Sequence, residues 1–510
     1  MYGVPKNILK ASHALLLLSL SFTGLVMAAA GLSDDVFLDG VVYASISRNM
    51  AAGRGGFWTA YYSGGPHPFS DHPPLAFWLQ SLAFAIFGDT RAIDYWWGGM
   101  LFAVSLFLML KVWTKAHLVY GGSRGSEQAK SLGWLVMALY AASYLGIWCA
   151  ANNMIENTLL VFVLLAAYFF LLARMHLGGM KGVIYAGMGG CVCAASLLIK
   201  GPATLFLFVL PPIMYFLSEK TMRAAMIVQL VSASIVAAGI GLAVYFAGGD
   251  DLQRFFNNYY HGQIVASLAG HKEVAPDSFY LLRALIKYLS LPLLATILIT
   301  EYQKYRGQAV DVGSKRAALF FLVVGICASV PFFFVRKQME WYLAPSLPFF
   351  IMSLASFGGA FAMMLCAKVE KAKTAVLVMT VILAIAAVGL WTRRGMFHVE
   401  PSIKIRDFLD GSKEKRAFNS EYTWGYFYHD VVEQGVELPK HSIVSSCPEE
   451  LHDKWRIKAY LQRIYQADLT APSRQRYLIV SNGGAKCIVP DECKAMQKSP
   501  PKMYTVYRCY

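Results

Sequence analysis

The stretch Phe69-Ser70-Asp71-His72-Pro73-Pro74-Leu75-Ala76-Phe77-Trp78 decides how this chain is read. Paired prolines suit the first turn of a helix, and the aromatic run they open, 73–87, is too short for a bilayer crossing of about 17–25 residues. It stands between runs that are long enough. An aromatic helix with an acid and an imidazole at its start, set between spans, belongs at a membrane surface and brings ionisable chemistry there.

Working outward, 56% of the 510 residues are hydrophobic and 15% are charged, which is not the composition of a soluble domain. Eleven apolar runs are the expected spans: 11–31, 94–114, 131–150, 157–173, 183–199, 202–218, 224–247, 284–300, 317–335, 344–366 and 374–392. Only Lys200-Gly201 separates the fifth from the sixth, so a count of ten or twelve stays open. The fold class is a polytopic α-helical membrane protein. Lys6, Lys10 and a run ending in Met27-Ala28-Ala29-Ala30 resemble a signal peptide, but the length of the run and the body behind it favour an uncleaved helix.

Basic residues set the expected orientation. Lys111 and Lys115, Arg174 and Lys181, Lys220 and Arg223, Lys304 and Arg306, and Lys368 and Lys371 fall in alternate loops with Lys6 and Lys10, which makes these loops and the N-terminus cytoplasmic. Topology thus accounts for most of the net charge of +15. A nucleic-acid partner would need a basic, aromatic-interleaved array on a soluble face, and the sequence offers none. The loop 32–93, the loop 248–283 and everything after about residue 393 are expected outside.

The chain divides into a membrane domain, 1–393, and a soluble periplasmic tail, 394–510. Cys447, Cys487, Cys493 and Cys509 form an even set confined to that tail, whereas Cys149, Cys191, Cys193, Cys327 and Cys366 lie in or near spans. Two disulfides in an oxidising compartment follow, with three pairings open. Strand-like runs at Ser442–Ser446, Tyr477–Ser481 and Tyr504–Tyr507, with a helix-like segment at Glu449–Gln466, predict a small α/β domain. In the first outer loop, 39–52 and 73–87 read as interfacial helices joined by turns at Gly53-Arg54-Gly55-Gly56 and Gly64-Gly65-Pro66.

Ionisable residues converge on the outer side: Asp34, Asp35, Asp39, Asp71 and His72, then Glu156, Lys200, His261, His271, Arg336, Lys337 and Glu340. Carboxylates and cations together suit a displacement in which an acid takes a proton from an acceptor hydroxyl while cations stabilise a departing phosphate. Each group also has a plainer reading. Asp39 before Gly40-Val41-Val42-Tyr43 suits a helix cap, Lys200 a snorkelling helix end, Arg336 and Lys337 interfacial anchors, Asp71 and His72 turn residues, and Glu156 a solvent-facing turn. His67, Asp71 and His72, with His261 or His271, are the weak candidates for a divalent metal, without any zincin or Cys-pair spacing. Gly178, Gly182, Gly187, Gly189 and Gly190 fit close helix packing better than phosphate cradling.

These residues resemble a known group. Asp39-Gly40-Val41-Val42-Tyr43-Ala44-Ser45-Ile46-Ser47-Arg48-Asn49-Met50 after a first span, then Phe69–Trp78 and Phe87-Gly88, are similar to bacterial GT-C glycosyltransferases of the aminoarabinose-transferase and protein-mannosyltransferase type. So are Glu156 with Leu159 and Leu160, Lys200-Gly201-Pro202, and Arg336-Lys337-Gln338 ahead of Tyr342-Leu343-Ala344-Pro345-Ser346-Leu347-Pro348. The resemblance covers about residues 10–390. It implies a polyprenyl-phosphate sugar donor and transfer on the periplasmic face of a bacterial inner membrane, with Asp39 as catalytic base and Asp71 and His72 shaping the donor site. The chain departs from the group at Gly40 and Val42, where an acid and an Arg are frequent, and at His72, where Lys is frequent. Phosphate binding then falls more on Lys200, Arg336 and Lys337.

A physical argument reaches the same donor class. Nucleotide sugars stay in the cytoplasm, so chemistry on the outer side needs a sugar already carried by a lipid, whose tail would lie in a groove between spans. The expected function is inverting glycosyl transfer to a hydroxyl of lipid A or another envelope glycan, with Asp39, Asp71 and Glu156 catalytic, and His72, Lys200, Arg336 and Lys337 on the donor phosphate. A divalent ion is the one cofactor left open. A protein Ser or Thr acceptor is the alternative within enzymes. A flippase of lipid-linked sugars is the alternative outside them, although polar residues at one interface and the lack of repeated halves are unlike a secondary transporter.

Overall fold

The structure is a computed structural model that describes residues 5–33, 36–64, 68–90, 92–270 and 275–396, and, in the tail, 436–438, 442–447, 458–459, 461–470, 475–481, 487, 489–497 and 504–509. It divides into two units. The first comprises Met1–Leu32, Ser70–Ala76 and Tyr95–Phe397; the second comprises Ser33–Phe69, Phe77–Asp94 and His398–Tyr510.

Apolar composition makes helices the only economical backbone in lipid, since each helix satisfies its own N–H and C=O groups. The helices run α1 Lys6–Ser33, α2 Leu38–Ala51, α3 Leu75–Phe87, α4 Ala92–Ser131, α5 Gly133–Ser143, α6 Leu145–Ala151, α7 Ile155–Met175, α8 Met180–Lys200, α9 Leu210–Phe216, α10 Arg223–Tyr259, α11 Ala266–Ala269, α12 Tyr280–Tyr305, α13 Val312–Phe333, α14 Leu347–Ala355, α15 Gly359–Val369 and α16 Lys373–Met396. Among the described residues eight helical stretches are long and apolar enough to cross a membrane, or nine if α5 and α6, bent by 72°, count as one span. Each of the eleven expected runs falls on helix, but the count is lower because neighbours merge. The fifth and sixth form one stretch, Met180–Phe216, and α15 continues into α16 as Gly359–Leu390.

In the first unit, α8 packs between α7 and α10 through its glycines. A Cβ on Gly190 would collide with the Ala233 carbonyl, one on Gly189 with the Phe170 ring, and one on Gly182 with the His176 carbonyl and Gln229. Small residues let backbones approach where lipid supplies no hydrophobic drive between helices. Polar side chains tie the same bundle: Gln229 donates to the Ala173 carbonyl at 2.7 Å and Asn157 to that of Gly98 at 2.8 Å. Outward faces stay apolar, with Val231, Ile235 and Leu242 on α10, Ile286 and Leu294 on α12, and Val378, Ile382 and Ile385 on α16 all exposed. In water such faces would aggregate, and against acyl chains they are solvated.

The second unit joins the first loop to the tail. Its five-stranded sheet has the order β2-β1-β3-β5-β4, with β1 Ile443–Cys447, β2 Asp468–Thr470, β3 Tyr477–Ser481, β4 Cys493–Ala495 and β5 Tyr504–Cys509. β1 runs parallel to β2 and β3, while β5 is antiparallel to β3 and β4. Two disulfides close it, Cys447–Cys487 and Cys493–Cys509, which resolves the three open pairings. Of the expected helix 449–466, the described part is residues 458–459 and a single wide turn, Leu461–Tyr465.

In α2, Leu38 and every residue from Gly40 to Asn49 are buried. The tail supplies the cover. Arg48 donates to the Gln462 carbonyl at 2.6 Å and to its side chain at 2.7 Å, and Arg463 grips both Asp94 carboxylate oxygens at 2.9 Å and Asp89 at 3.1 Å. Burial lowers the pKa of Arg48 to about 10 against the opposing pull of Asp89, so it stays charged at neutral pH. α3 keeps the expected surface character: Phe77, Gln80, Ser81 and Phe84 are buried, while Trp78, Leu82, Ile86 and Phe87 are exposed.

Candidate functional site

The site grows from a break in the backbone. Lys200 ends α8, and Gly201 follows at φ 60° and ψ −142°, a conformation that a side chain would strain. A Cβ at Gly201 would also meet the Tyr259 hydroxyl. Pro202 then opens a 3₁₀ stretch, Gly201–Val209, so the chain turns as soon as the lysine is presented.

Lys200 is 6% exposed and Glu156 1%. Their side chains form an ion pair between the end of α8 and the first turn of α7. The Lys200 ammonium also lies 4.4 Å from the centre of the Tyr342 ring. An ammonium has three N–H donors, so one on Glu156 and one over the ring leave donor capacity for an anion. Among the described residues, the second Glu156 oxygen, Oε2, is buried with no hydrogen-bond partner. A buried acceptor left unpaired costs about 1–3 kcal/mol, more when charged, which marks the spot as one where a donor-bearing ligand or water would be held.

Asp71, in the same unit, acts electrostatically on Tyr259. Arg336 and Lys337 stand on the turn just before a 3₁₀ element, Glu340–Leu343, that carries Tyr342. That turn is fixed by the Ala275 N–H donating to the Arg336 carbonyl at 3.0 Å. Among the described residues neither Arg336 nor Lys337 forms an ion pair with Glu156. His72 is half-buried, and His261 is exposed on the wide turn Tyr260–Val265. His67, His271, Asp34 and Asp35 lie outside the described residues. Among the described residues no group of three His, Cys, Asp or Glu side chains stands together as a metal site.

An apolar groove of about 410 Å³ runs between α8 and α10, lined by Ala194, Leu197, Leu198, Ile240, Val244 and Phe256 among others. Leu197 and Leu198 are in the turn that ends at Lys200, so the groove lies along the helix that presents the cation. Asp39 belongs to the second unit, in the first turn of α2, where a negative charge suits the helix dipole.

Reading the sequence missed several residues here. Tyr259 and Tyr342 were unassigned because aromatic residues are abundant throughout. Arg48 and Arg463 find their partners across the loop and tail, more than 360 residues apart for Arg463 and Asp94, and no local pattern signals that.

No family model matches the chain. Over 180 residues, which are 35% of this chain and 30% of the relative, it is 28% identical to undecaprenyl phosphate-alpha-4-amino-4-deoxy-L-arabinose arabinosyl transferase 1 of Proteus mirabilis strain HI4320. The crystal structure of ArnT from Cupriavidus metallidurans bound to undecaprenyl phosphate matches with a TM-score of 0.58 at 14% identity, covering 98% of this chain and 97% of that one. Its apo form matches at 0.56 and 13%, with the same coverage. The chain thus has the ArnT-like GT-C fold that its motifs resemble, over nearly its whole length.

Proposed function

We propose that this chain is a GT-C glycosyltransferase of the inner membrane that moves a sugar from a polyprenyl-phosphate carrier to a hydroxyl of an envelope lipid or glycan on the periplasmic side. The observation that carries the reading is the buried Lys200, held by Glu156 and Tyr342 on the helix that also walls the apolar groove. A lipid phosphate needs those two things together, a desolvated cation for its head and an apolar channel for its tail. The 28% identical arabinosyl transferase supports the same donor class.

In this reading Asp39 takes the proton of the acceptor hydroxyl, whose oxygen attacks the anomeric carbon from the face opposite the phosphate. The anomeric C–O bond to phosphate breaks and its electron pair leaves on the polyprenyl phosphate, with inversion at carbon. Lys200, Arg336 and Lys337 stabilise that charge, and Asp71 and His72 shape the donor site. Glu156 holds Lys200 in place through their buried ion pair.

The test is turnover. Purified protein in nanodiscs, given undecaprenyl-phosphate sugars and deep-rough lipid A, should release undecaprenyl phosphate and glycosylated lipid in equal amounts. Glycosylated peptide in place of lipid would make the acceptor a protein. Movement of intact donor across the bilayer without cleavage would make the chain a flippase and overturn the proposal.

A further inference from the structure

A shelf of aromatic rings leads away from Lys200. From the ammonium it is 4.4 Å to the Tyr342 ring, 6.4 Å from that ring to Trp341 in an edge-on arrangement, and 5.7 Å from Trp341 to Trp148, stacked at 24°. All these residues belong to the first unit. The local backbone is shaped to present them. The chain bends by 72° between α5 and α6 at Tyr144, which takes φ 58° without being glycine. On the short helix that follows, Leu145–Ala151, every residue except Trp148 is buried. On the 3₁₀ element Glu340–Leu343, only Leu343 is buried, leaving Glu340, Trp341 and Tyr342 partly open.

The surroundings are not those of a lipid-facing aromatic belt. Glu340 accepts from the Tyr288 hydroxyl and, at 3.2 Å, from Lys287. Glu156 pairs with Lys200, whose ammonium lies over Tyr342, and Glu340 precedes Trp341 on the same 3₁₀ element, so two carboxylates border the shelf. Partly exposed ring faces bounded by carboxylates are what a pyranose needs. Its C–H faces pack on indole and phenol rings, and its hydroxyls donate to carboxylate oxygens, among them Glu156 Oε2, which has no partner among the described residues.

We infer that Trp148, Trp341 and Tyr342, flanked by Glu156 and Glu340, form the subsite for the donor's sugar ring. The inference rests on the proposed function, since a sugar bonded to a phosphate on Lys200 would start at Tyr342 and extend along the shelf. The subsite reads ring shape and leaves the phosphate and the chain to Lys200 and the groove.

The experiment measures binding of undecaprenyl phosphate, undecaprenyl phosphate glucose and undecaprenyl phosphate 4-amino-4-deoxyarabinose to the full chain in nanodiscs. Wild type should hold at least one sugar-bearing lipid about tenfold tighter than undecaprenyl phosphate, the scale of one aromatic contact. Trp341→Leu and Trp148→Leu should abolish that preference while leaving undecaprenyl phosphate affinity within about twofold. Trp341→Phe should restore most of the preference, which a packing defect would not allow. If Trp341→Leu and Trp341→Phe weaken all lipids equally, or the preference survives both tryptophan losses, the subsite is wrong and the donor assignment stands. If wild type binds no polyprenyl phosphate at all, both fall together.

Discussion

Replacing Glu156 by Gln leaves the Lys200 ammonium in a site where 6% of the residue is accessible. Removing one member of a buried ion pair costs about 3–5 kcal/mol, because the remaining charge is desolvated and unpaired. Lys200 keeps its ring contact with Tyr342 in that variant, so the loss falls at the lower end, about 3 kcal/mol. Lys200→Met strands the Glu156 carboxylate, which is 1% exposed, and forfeits the ring contact as well, for about 4–5 kcal/mol. The double variant has no buried charge left and should cost less than the two losses summed, by at least about 2 kcal/mol. Denaturant titration of the four proteins in micelles, followed by tryptophan fluorescence, measures this cycle. Undecaprenyl phosphate adds a second arm: its phosphate can replace the missing carboxylate, so it should stabilise Glu156→Gln more than wild type and leave Lys200→Met unmoved. Additive losses, or equal stabilisation of all four proteins by the lipid, would refute the reasoning.

Asp39→Asn should cut transfer by about 10²–10⁴-fold, the worth of a general base, with thermal stability unchanged, read by donor turnover and a melting curve. Gly201→Ala should lower stability and activity together, because its Cβ meets Tyr259 and its φ of 60° is strained for alanine; a neutral result would mean the turn after Lys200 is pliable. Arg463→Met should cost about 3–5 kcal/mol locally by stranding Asp94, seen as faster hydrogen exchange at the start of α4 and in the turn Leu461–Tyr465. Alkylation of the folded protein should label none of Cys447, Cys487, Cys493 and Cys509, and breaking Cys493–Cys509, 16 residues apart, should destabilise the tail by about 3 kcal/mol.

What sequence could reveal follows from range. The spans were legible because about 20 apolar residues in a row have few other uses, and the break at Lys200-Gly201-Pro202 was visible because glycine and proline act locally. The cysteine set announced disulfides, but pairing needed the strand register that puts Cys493 opposite Cys509. β2 and β4, three residues each, were too short to leave a pattern. That the tail covers α2 was not legible, because the residues that meet lie about 410 positions apart, as Arg48 and Gln462 show. The partnership of Glu156 and Lys200 leaves no local trace, since 44 residues separate the two and only folding brings them together.

The most direct measurement is a cryo-electron microscopy map of the full chain in nanodiscs with undecaprenyl phosphate added. The account predicts phosphate density about 3 Å from the Lys200 ammonium with the isoprenoid tail leaving along the groove between α8 and α10. Lipid density elsewhere, with Lys200 still closed on Glu156 and the groove filled only by bulk lipid, would contradict it.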